Sequence, residues 1–225
     1  KTNLINKIER ILSLVDVGSK QFLTNKVDRS VGGLVVQQQC IGPFHLPLSN
    51  LSAVKASFDS SSTLVSAIGE KPIIGVSNSI EDMVNLTVGE MLTNIMWCQI
   101  GSLSNINSVA NWMWPSINES DGAELRDAVN QLTKLSHILE FSINGGKDSL
   151  SMKVRHEEEE ISAPSTLTLS GYATIHNHLN IISPHLKSGE SKILLVRLDK
   201  FRGGMLGSAY SRFYNVSNRK TQWLN

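Results

Sequence analysis

The 225-residue sequence predicts a mixed α/β fold of the α+β kind, and three observations carry that expectation. Residues 80–100 and 123–139 each repeat apolar side chains at helical spacing. Leu167, Leu169, Gly171, Ala173 and Ile175 alternate with their neighbours, as one face of a half-buried strand does. Shorter apolar stretches at 109–115, 139–143 and 193–196 are bounded by Gly- or Pro-containing connections and read as further strands.

Taken in order, Leu4, Ile5, Ile8, Ile11, Leu12 and Leu14 form an amphipathic helix that Val17-Gly18-Ser19 breaks. Residues 20–39 read as strand, charged loop, then strand or helical turn after Gly32-Gly33. Residues 40–48 form an extended connection, with Pro43 and Pro47. Residues 51–56 give an imperfect strand, after which Asp59-Ser60-Ser61-Ser62 is expected to cap a helix running to Ile68 and ended by Gly69-Glu70-Lys71-Pro72. The helix from residue 80 opens on Ser79 with Asp82 three residues on, close to a capping box. Met83, Leu86, Val88, Met91, Leu92, Ile95 and Met96 supply its apolar face. Trp112 and Trp114 lie in a strand ended by Pro115, and core packing is their expected role. His137 sits near the end of the second long helix, where it favours the helix dipole. Arg155 to Glu160 reads as a solvated turn. His176, His178 and His185 lack a diagnostic metal spacing. Residues 187–192 form a polar hinge before the apolar strand 193–196 and a glycine-rich turn at 202–209.

Bulk properties exclude several classes. With 18% charged residues and a formal net charge of +1, no electrostatic case exists for nucleic acid. No 18-residue apolar span or signal-peptide core is visible, so a cytoplasmic, unexported protein with no membrane partner is expected. Cys40 and Cys98 have no Cys-x-x-Cys or His spacing around them and read as two thiols rather than a disulfide or zinc site. The sequence begins with Lys1 inside an apparent helix and ends in patternless residues, which suggests a piece of a longer polypeptide.

Three stretches carry candidate chemistry. In Ser142–Met152, a strand runs into Gly145-Gly146 and then presents Lys147, Asp148, Ser149 and Ser151. The glycines allow a turn at positive φ whose N–H groups cradle an anion; the alternative is a plain β-turn with solvated charges. The spacing is not that of a Walker loop. Glu90 and Asn94 lie four apart on one helix face, and a carboxylate and an amide oxygen are hard ligands of the sort magnesium uses beside nucleotide phosphates; the alternative is a solvated polar edge. Lys26-Val27-Asp28-Arg29 is a charged, glycine-flanked loop, or simply an exposed turn.

The ordered set Val17-Gly18-Ser19-Lys20, Phe22 to Val31, Gln37-Gln38-Gln39-Cys40, Gly42-Pro43, Gly89-Glu90-Met91-Leu92-Thr93-Asn94, Asn111-Trp112-Met113-Trp114 and Gly145 to Met152 resembles the formylglycinamide ribonucleotide amidotransferase family. The resemblance covers roughly residues 3 to 210. It implies a piece of a large multidomain ligase whose synthetase core is two fused copies of the aminoimidazole ribonucleotide synthetase fold, with a mixed sheet and flanking helices. It also implies the domain bounds: an incoming helix and linker at 1–19, the N-terminal domain of the second copy at 20–188, and the start of the following α+β domain at 189–225. Sheets of the two copies pair in that family, and nucleotide sites lie at domain interfaces.

The implied reaction takes formylglycinamide ribonucleotide, ATP and ammonia from glutamine to formylglycinamidine ribonucleotide, in de novo purine synthesis. Its partners are those small molecules, the first synthetase half and a glutaminase domain. Carried over by position, Lys20 corresponds to a nucleotide-contacting lysine. Glu90 and Asn94 correspond to Mg2+ ligands at a second, structural ATP/ADP site. Asp28 and Arg29 border the active site, and Gly145, Gly146, Lys147, Asp148, Ser149 and Ser151 correspond to a phosphate- or substrate-facing turn. One departure stands out: Ser49-Asn50 replaces the family's usual Ala-Asp, so Asn50 offers an amide where a metal-binding carboxylate is expected, and magnesium affinity should fall. Two other readings remain: a further ATP-dependent member of the same superfamily, or a non-enzymatic scaffold or decoy that keeps the fold.

Overall fold

The computed structural model describes residues 3–27, 29–73, 79–196 and 207–214. Six strands lie side by side in the order β1 (Val35–Gln37), β4 (Leu51–Lys55), β5 (Thr63–Glu70), β10 (Thr166–Ile175), β6 (Asn107–Met113) and β7 (Ser142–Ser149). All neighbours are antiparallel except β6 and β7. A parallel pair needs a crossover, and helix α4 (Glu119–Leu139) supplies it. Two small hairpins stand apart, β2 (Cys40–Ile41) with β3 (Leu46–Pro47) and β8 (Lys153–His156) with β9 (Glu159–Ser162). The expected α+β class therefore holds.

Helix α3 (Ile80–Ile95) lies across β5 and β10, with α4 beside it. Ser79 caps α3 through its hydroxyl, which accepts from the Asp82 N–H at 3.1 Å, and Asn118 caps α4 in the same way at 2.8 Å. Met83, Val84, Val88, Met91 and Ile95 of α3 are buried against Val65, Ala67, Leu167, Leu169 and Ala173, and α4 adds Ala128 and Leu132. Full burial of each large side chain contributes about 1.5–3 kcal/mol. Small residues on the helix-facing side of the sheet make room for the methionines. A Cβ at Gly171 would strike the Met91 sulfur. The opposite face, with Leu64, Ile68 and Val109 exposed, is covered by no helix among the described residues.

Several sequence expectations need correction. Residues 63–70 are a strand, with no helix running from Asp59 to Ile68; the serines before it form a turn in which Ser60 N–H donates to the Ser57 carbonyl and hydroxyl, and Ala56 N–H then closes the β4–β5 hairpin on the Ser62 carbonyl. Thr63, Val65, Ala67 and Gly69 alternate inward along it, a period of two that the short polar neighbours disguise. Residues 21–24 form a short helix, α2, in place of the expected strand. Arg155–Glu160 is hairpin rather than plain turn, with Glu157 at φ 55° between the strands. Residues 193–196 are exposed and unpaired among the described residues, since a strand forms only where a neighbour takes up its main-chain hydrogen bonds. The glycine-rich segment 202–206 lies outside the described residues.

Helix α1 (Leu4–Leu12), capped by Asn3, buries none of its side chains. It meets α5 (Ala209–Phe213) through polar contacts: Lys7 lies 5.8 Å and 5.6 Å from the Tyr210 and Tyr214 ring centroids. Arg212 bonds Asp16 at 2.6 Å, which holds the Asp16 carboxyl below its ordinary pKa.

Cys40 and Cys98 are free and buried, as expected. Burial pushes the Cys98 thiol up to about 11 from an ordinary 9.0. Because the folded value lies above the unfolded one, the contribution to stability is full below pH 9 and is lost as pH rises towards 11. Urea titrations from pH 8 to 10.5 should therefore show Cys98→Ala losing less stability than the wild type above pH 9; parallel curves would contradict the burial.

Candidate functional site

Where β5 runs past β4, its main chain lacks a strand partner: β4 begins at Leu51, opposite Ala67, which leaves residues 68–70 unpaired on that side. Side chains of α3 complete them. The helix comes this close because position 69 is glycine; a Cβ there would collide with the Thr87 carbonyl oxygen and lie 2.7 Å from the Met91 nitrogen. Asn94 donates from Nδ2 to the Ile68 carbonyl at 3.0 Å, and Glu90 Oε2 accepts the Glu70 N–H at 2.7 Å. The other Glu90 oxygen, Oε1, meets Lys71 Nζ at 2.5 Å.

Above this junction opens a cavity of about 790 Å³ whose lining includes Arg29, Gln37, Asn50, Glu70, Glu90 and Asn94. Arg29, Asn50, Glu90 and Asn94, singled out in sequence for different reasons, thus share one cavity. Asn50 donates from Nδ2 to Asn94 Oδ1 at 3.3 Å, linking the β3–β4 loop to α3. Ser49 is buried, and its hydroxyl accepts from Gln37 Nε2 at 2.9 Å while donating to the Leu51 carbonyl at 2.9 Å, so it pins the strand start beneath Asn50. Arg29 lies 3.5 Å from His45 Nδ1 at the rim. A smaller, more apolar cavity of about 340 Å³ continues from Asn50 and Asn94 to Leu48, Trp97, Ile182 and Pro184.

Other expected site residues lie elsewhere. Lys20 is exposed and donates to the Gly18 carbonyl at 2.5 Å, outside the cavity lining. Asp28 lies outside the described residues. Gly145 to Ser149 do not form a turn: they belong to strand β7, and neither glycine has positive φ. The glycines serve close approach instead, because a Cβ at Gly146 would come 2.9 Å from the Ala110 carbonyl of β6. Lys147 reaches only its own strand, donating to the Asp148 carbonyl and the Ser149 hydroxyl. With Ser151 just beyond, this stretch is the edge of the six-stranded sheet opposite β1 and lies three strands from β5, whose end Glu90 and Asn94 complete, roughly 15 Å at the usual strand spacing. The cavity lining includes Glu90 and Asn94 but none of Gly145, Gly146, Lys147, Asp148, Ser149 and Ser151. Trp114 is wholly buried and Trp112 packs 6.0 Å from it, in keeping with a core role.

Sequence reasoning misses Glu70 and Lys71 at the junction. In sequence they read as the end of a helix, and no local spacing connects them with Glu90 on the next element. His178 and His185 join no metal cluster among the described residues, where no group of three or more His, Cys, Asp or Glu side chains could hold an ion. No helix among them is long and apolar enough to cross a membrane.

Comparison with known proteins fits this geometry. A family model described as the FGAR-AT PurM_N-like domain matches residues 19–174. Phosphoribosylformylglycinamidine synthase of Dictyostelium discoideum is 39% identical over 216 residues, covering 92% of this chain and 16% of that protein. The Drosophila melanogaster protein is 38% identical over 212 residues, with 91% and 16% covered, and the human one is 36% identical over 210, with 92% and 16%. The chain thus spans about 16% of the length of these relatives. The solved structure of PurLQS from Thermotoga maritima shares the fold at a TM-score of 0.50 and 14% identity, over 68% of this chain and 23% of that one. From residue 19 to residue 174, the chain belongs to the FGAR-AT PurM_N-like domain family.

Proposed function

We propose that this chain is a nucleotide-binding lobe of a phosphoribosylformylglycinamidine synthase, and that the cavity bounded by Arg29, Asn50, Glu90 and Asn94 receives the phosphates of ATP or ADP. The observation that carries the reading is the convergence of those four residues, from three separate segments, on one cavity; relatives 36–39% identical over more than nine-tenths of the chain support it. Arg29 can grip a phosphate bidentately. The continuing apolar cavity beside Trp97 suits a base.

In the whole enzyme, the amide oxygen of formylglycinamide ribonucleotide would take the terminal phosphoryl group of ATP, releasing ADP. Ammonia would then attack the activated carbon, and phosphate would leave with the oxygen. This lobe's share is binding and orientation; no side chain of the cavity is assigned a proton transfer. Asp28 and Arg29 would border the substrate, and the exposed sheet face would meet the first synthetase half. The segment Gly145 to Ser151 would face phosphate or substrate from the edge strand β7, an assignment that rests on family resemblance.

Magnesium, which the family implies at Glu90, Asn94 and Asn50, fits these donors poorly. Glu90 is the only carboxylate among the three, both its oxygens are taken up by Lys71 and the Glu70 N–H, and the Asn94 oxygen is held by Asn50. No step is derived through the ion. The same engagement favours one rival, a scaffold that keeps the fold without binding nucleotide. Calorimetric titration of the chain with ATP and ADP separates the two: one saturable site is expected, weakened about tenfold or more in Arg29→Ala by loss of a charge-assisted contact. Absence of binding would leave the scaffold reading.

A further inference from the structure

We infer that Lys71, held on the lining residue Glu90, takes the electrostatic place of a divalent cation beside this cavity, so that the phosphate-bearing ligand binds without a metal. The inference rests on the nucleotide reading and sharpens it. A carboxylate facing a cavity for polyphosphate repels its ligand unless a cation intervenes. Magnesium performs that service by bridging carboxylate and phosphate oxygens. Here Lys71 Nζ already lies 2.5 Å from Glu90 Oε1, a charge-assisted contact at the point where the bridge is needed. An ammonium has three N–H donors, and among the described residues Glu90 is its one bonded partner. With its side chain 39% exposed, the ammonium can turn remaining donors towards a ligand.

Charge balance leads to the same conclusion. Glu70 and Glu90 are the acids of the lining and Arg29 its base, which leaves one excess negative charge; Lys71, bonded to Glu90, removes it. Asn50 in place of a carboxylate acts in the same direction: a third acid would restore the excess that a metal answers. Glu70 does not compete for Lys71, since its Oε2 accepts from the Thr168 hydroxyl at 3.3 Å. Glu90 holds Lys71 with one oxygen and the strand end with the other, so the ammonium is positioned before any ligand arrives.

The test titrates the chain with ADP in excess Mg2+ and again in EDTA, and with Mn2+ alone followed by electron paramagnetic resonance. The wild type should bind ADP within about threefold under both conditions and should not take up Mn2+. Lys71→Gln should weaken binding in EDTA by about tenfold or more, with its thermal midpoint near that of the wild type because the side chain is partly exposed. The double variant Asn50→Asp, Lys71→Gln should bind Mn2+ and bind ADP only with a divalent ion. Wild-type binding that requires Mg2+, Mn2+ uptake by the wild type, or Lys71→Gln binding as tightly as the wild type in EDTA would each overturn the inference while the nucleotide reading stands. Failure of ADP to bind under either condition would overturn both.

Discussion

Gly69→Ala should prevent α3 from seating on the sheet. The added methyl would be driven into the Thr87 carbonyl oxygen and against the Met91 nitrogen, backbone atoms of a helix that cannot turn aside as a side-chain tip can. Relief requires the helix to lift, which withdraws Met83, Val84, Val88 and Met91 from the core they fill. Overpacking typically costs about 1–3 kcal/mol, and contact with backbone atoms puts this change at the upper end or beyond, so the urea midpoint should fall accordingly or the chain should fail to fold. Gly145→Ala is the contrast: the nearest atom to its Cβ is Val109 Cγ2 at 4.0 Å, and its backbone is extended, so alanine should change stability by no more than about 0.5 kcal/mol. A wild-type midpoint for Gly69→Ala would show that helix and strand do not approach so closely.

Trp114 is the second position of large effect. It is the largest wholly buried side chain among the described residues, and its main chain bonds Ser149 and Met152, tying the end of β6 to β7 and to the residues that lead into β8. Removing the ring in Trp114→Ala leaves a cavity beneath the parallel pair, at a cost of about 3–5 kcal/mol. Trp114→Phe should cost less, about 1–2 kcal/mol, for a reason specific to this site: the indole Nε1 is buried with no hydrogen-bond partner among the described residues, and phenylalanine removes that unsatisfied donor along with some volume. Chemical denaturation followed by far-ultraviolet circular dichroism gives both values. Equal losses in the two variants would show that the indole nitrogen is satisfied after all.

Local pattern makes some elements legible and leaves others hidden. Helix α3 can be read because a capping side chain and a long apolar period both lie within the segment itself, and α4 from its apolar period alone, which sets its start at residue 123 rather than at Glu119. Strand β10 is legible because its alternation is clean from Leu167 to Ile175. Strand β5 is not: Ala67 and Gly69 face the core, yet their small size gives little hydrophobic signal, and what makes them a strand is the presence of β4 on one side and β10 on the other. The glycine pair at 145–146 misleads for a related reason. Glycine satisfies two different needs, positive φ and close approach, and sequence cannot say which applies until the Ala110 carbonyl is in place. At the site, Glu90 and Asn94 can be paired by helical spacing, whereas Arg29 and Asn50 come from family resemblance. Lys71 has no signal of either kind, since its relation to Glu90 arises only when the end of β5 is laid against α3.

The union of α1 with α5 limits what a single unfolding curve describes. A helix that buries no side chain adds little to the cooperativity of the core, and it is held by one ion pair and a lysine over two tyrosine rings. The Asp16 carboxyl, kept below 3.8 by Arg212, supports this contact at any pH above its ordinary value and ceases to do so only as acid protonates it. Helical signal from residues 4–12 therefore follows its own equilibrium, set by ionic strength and acidity, while the six-stranded sheet answers to solvents that compete for apolar surface.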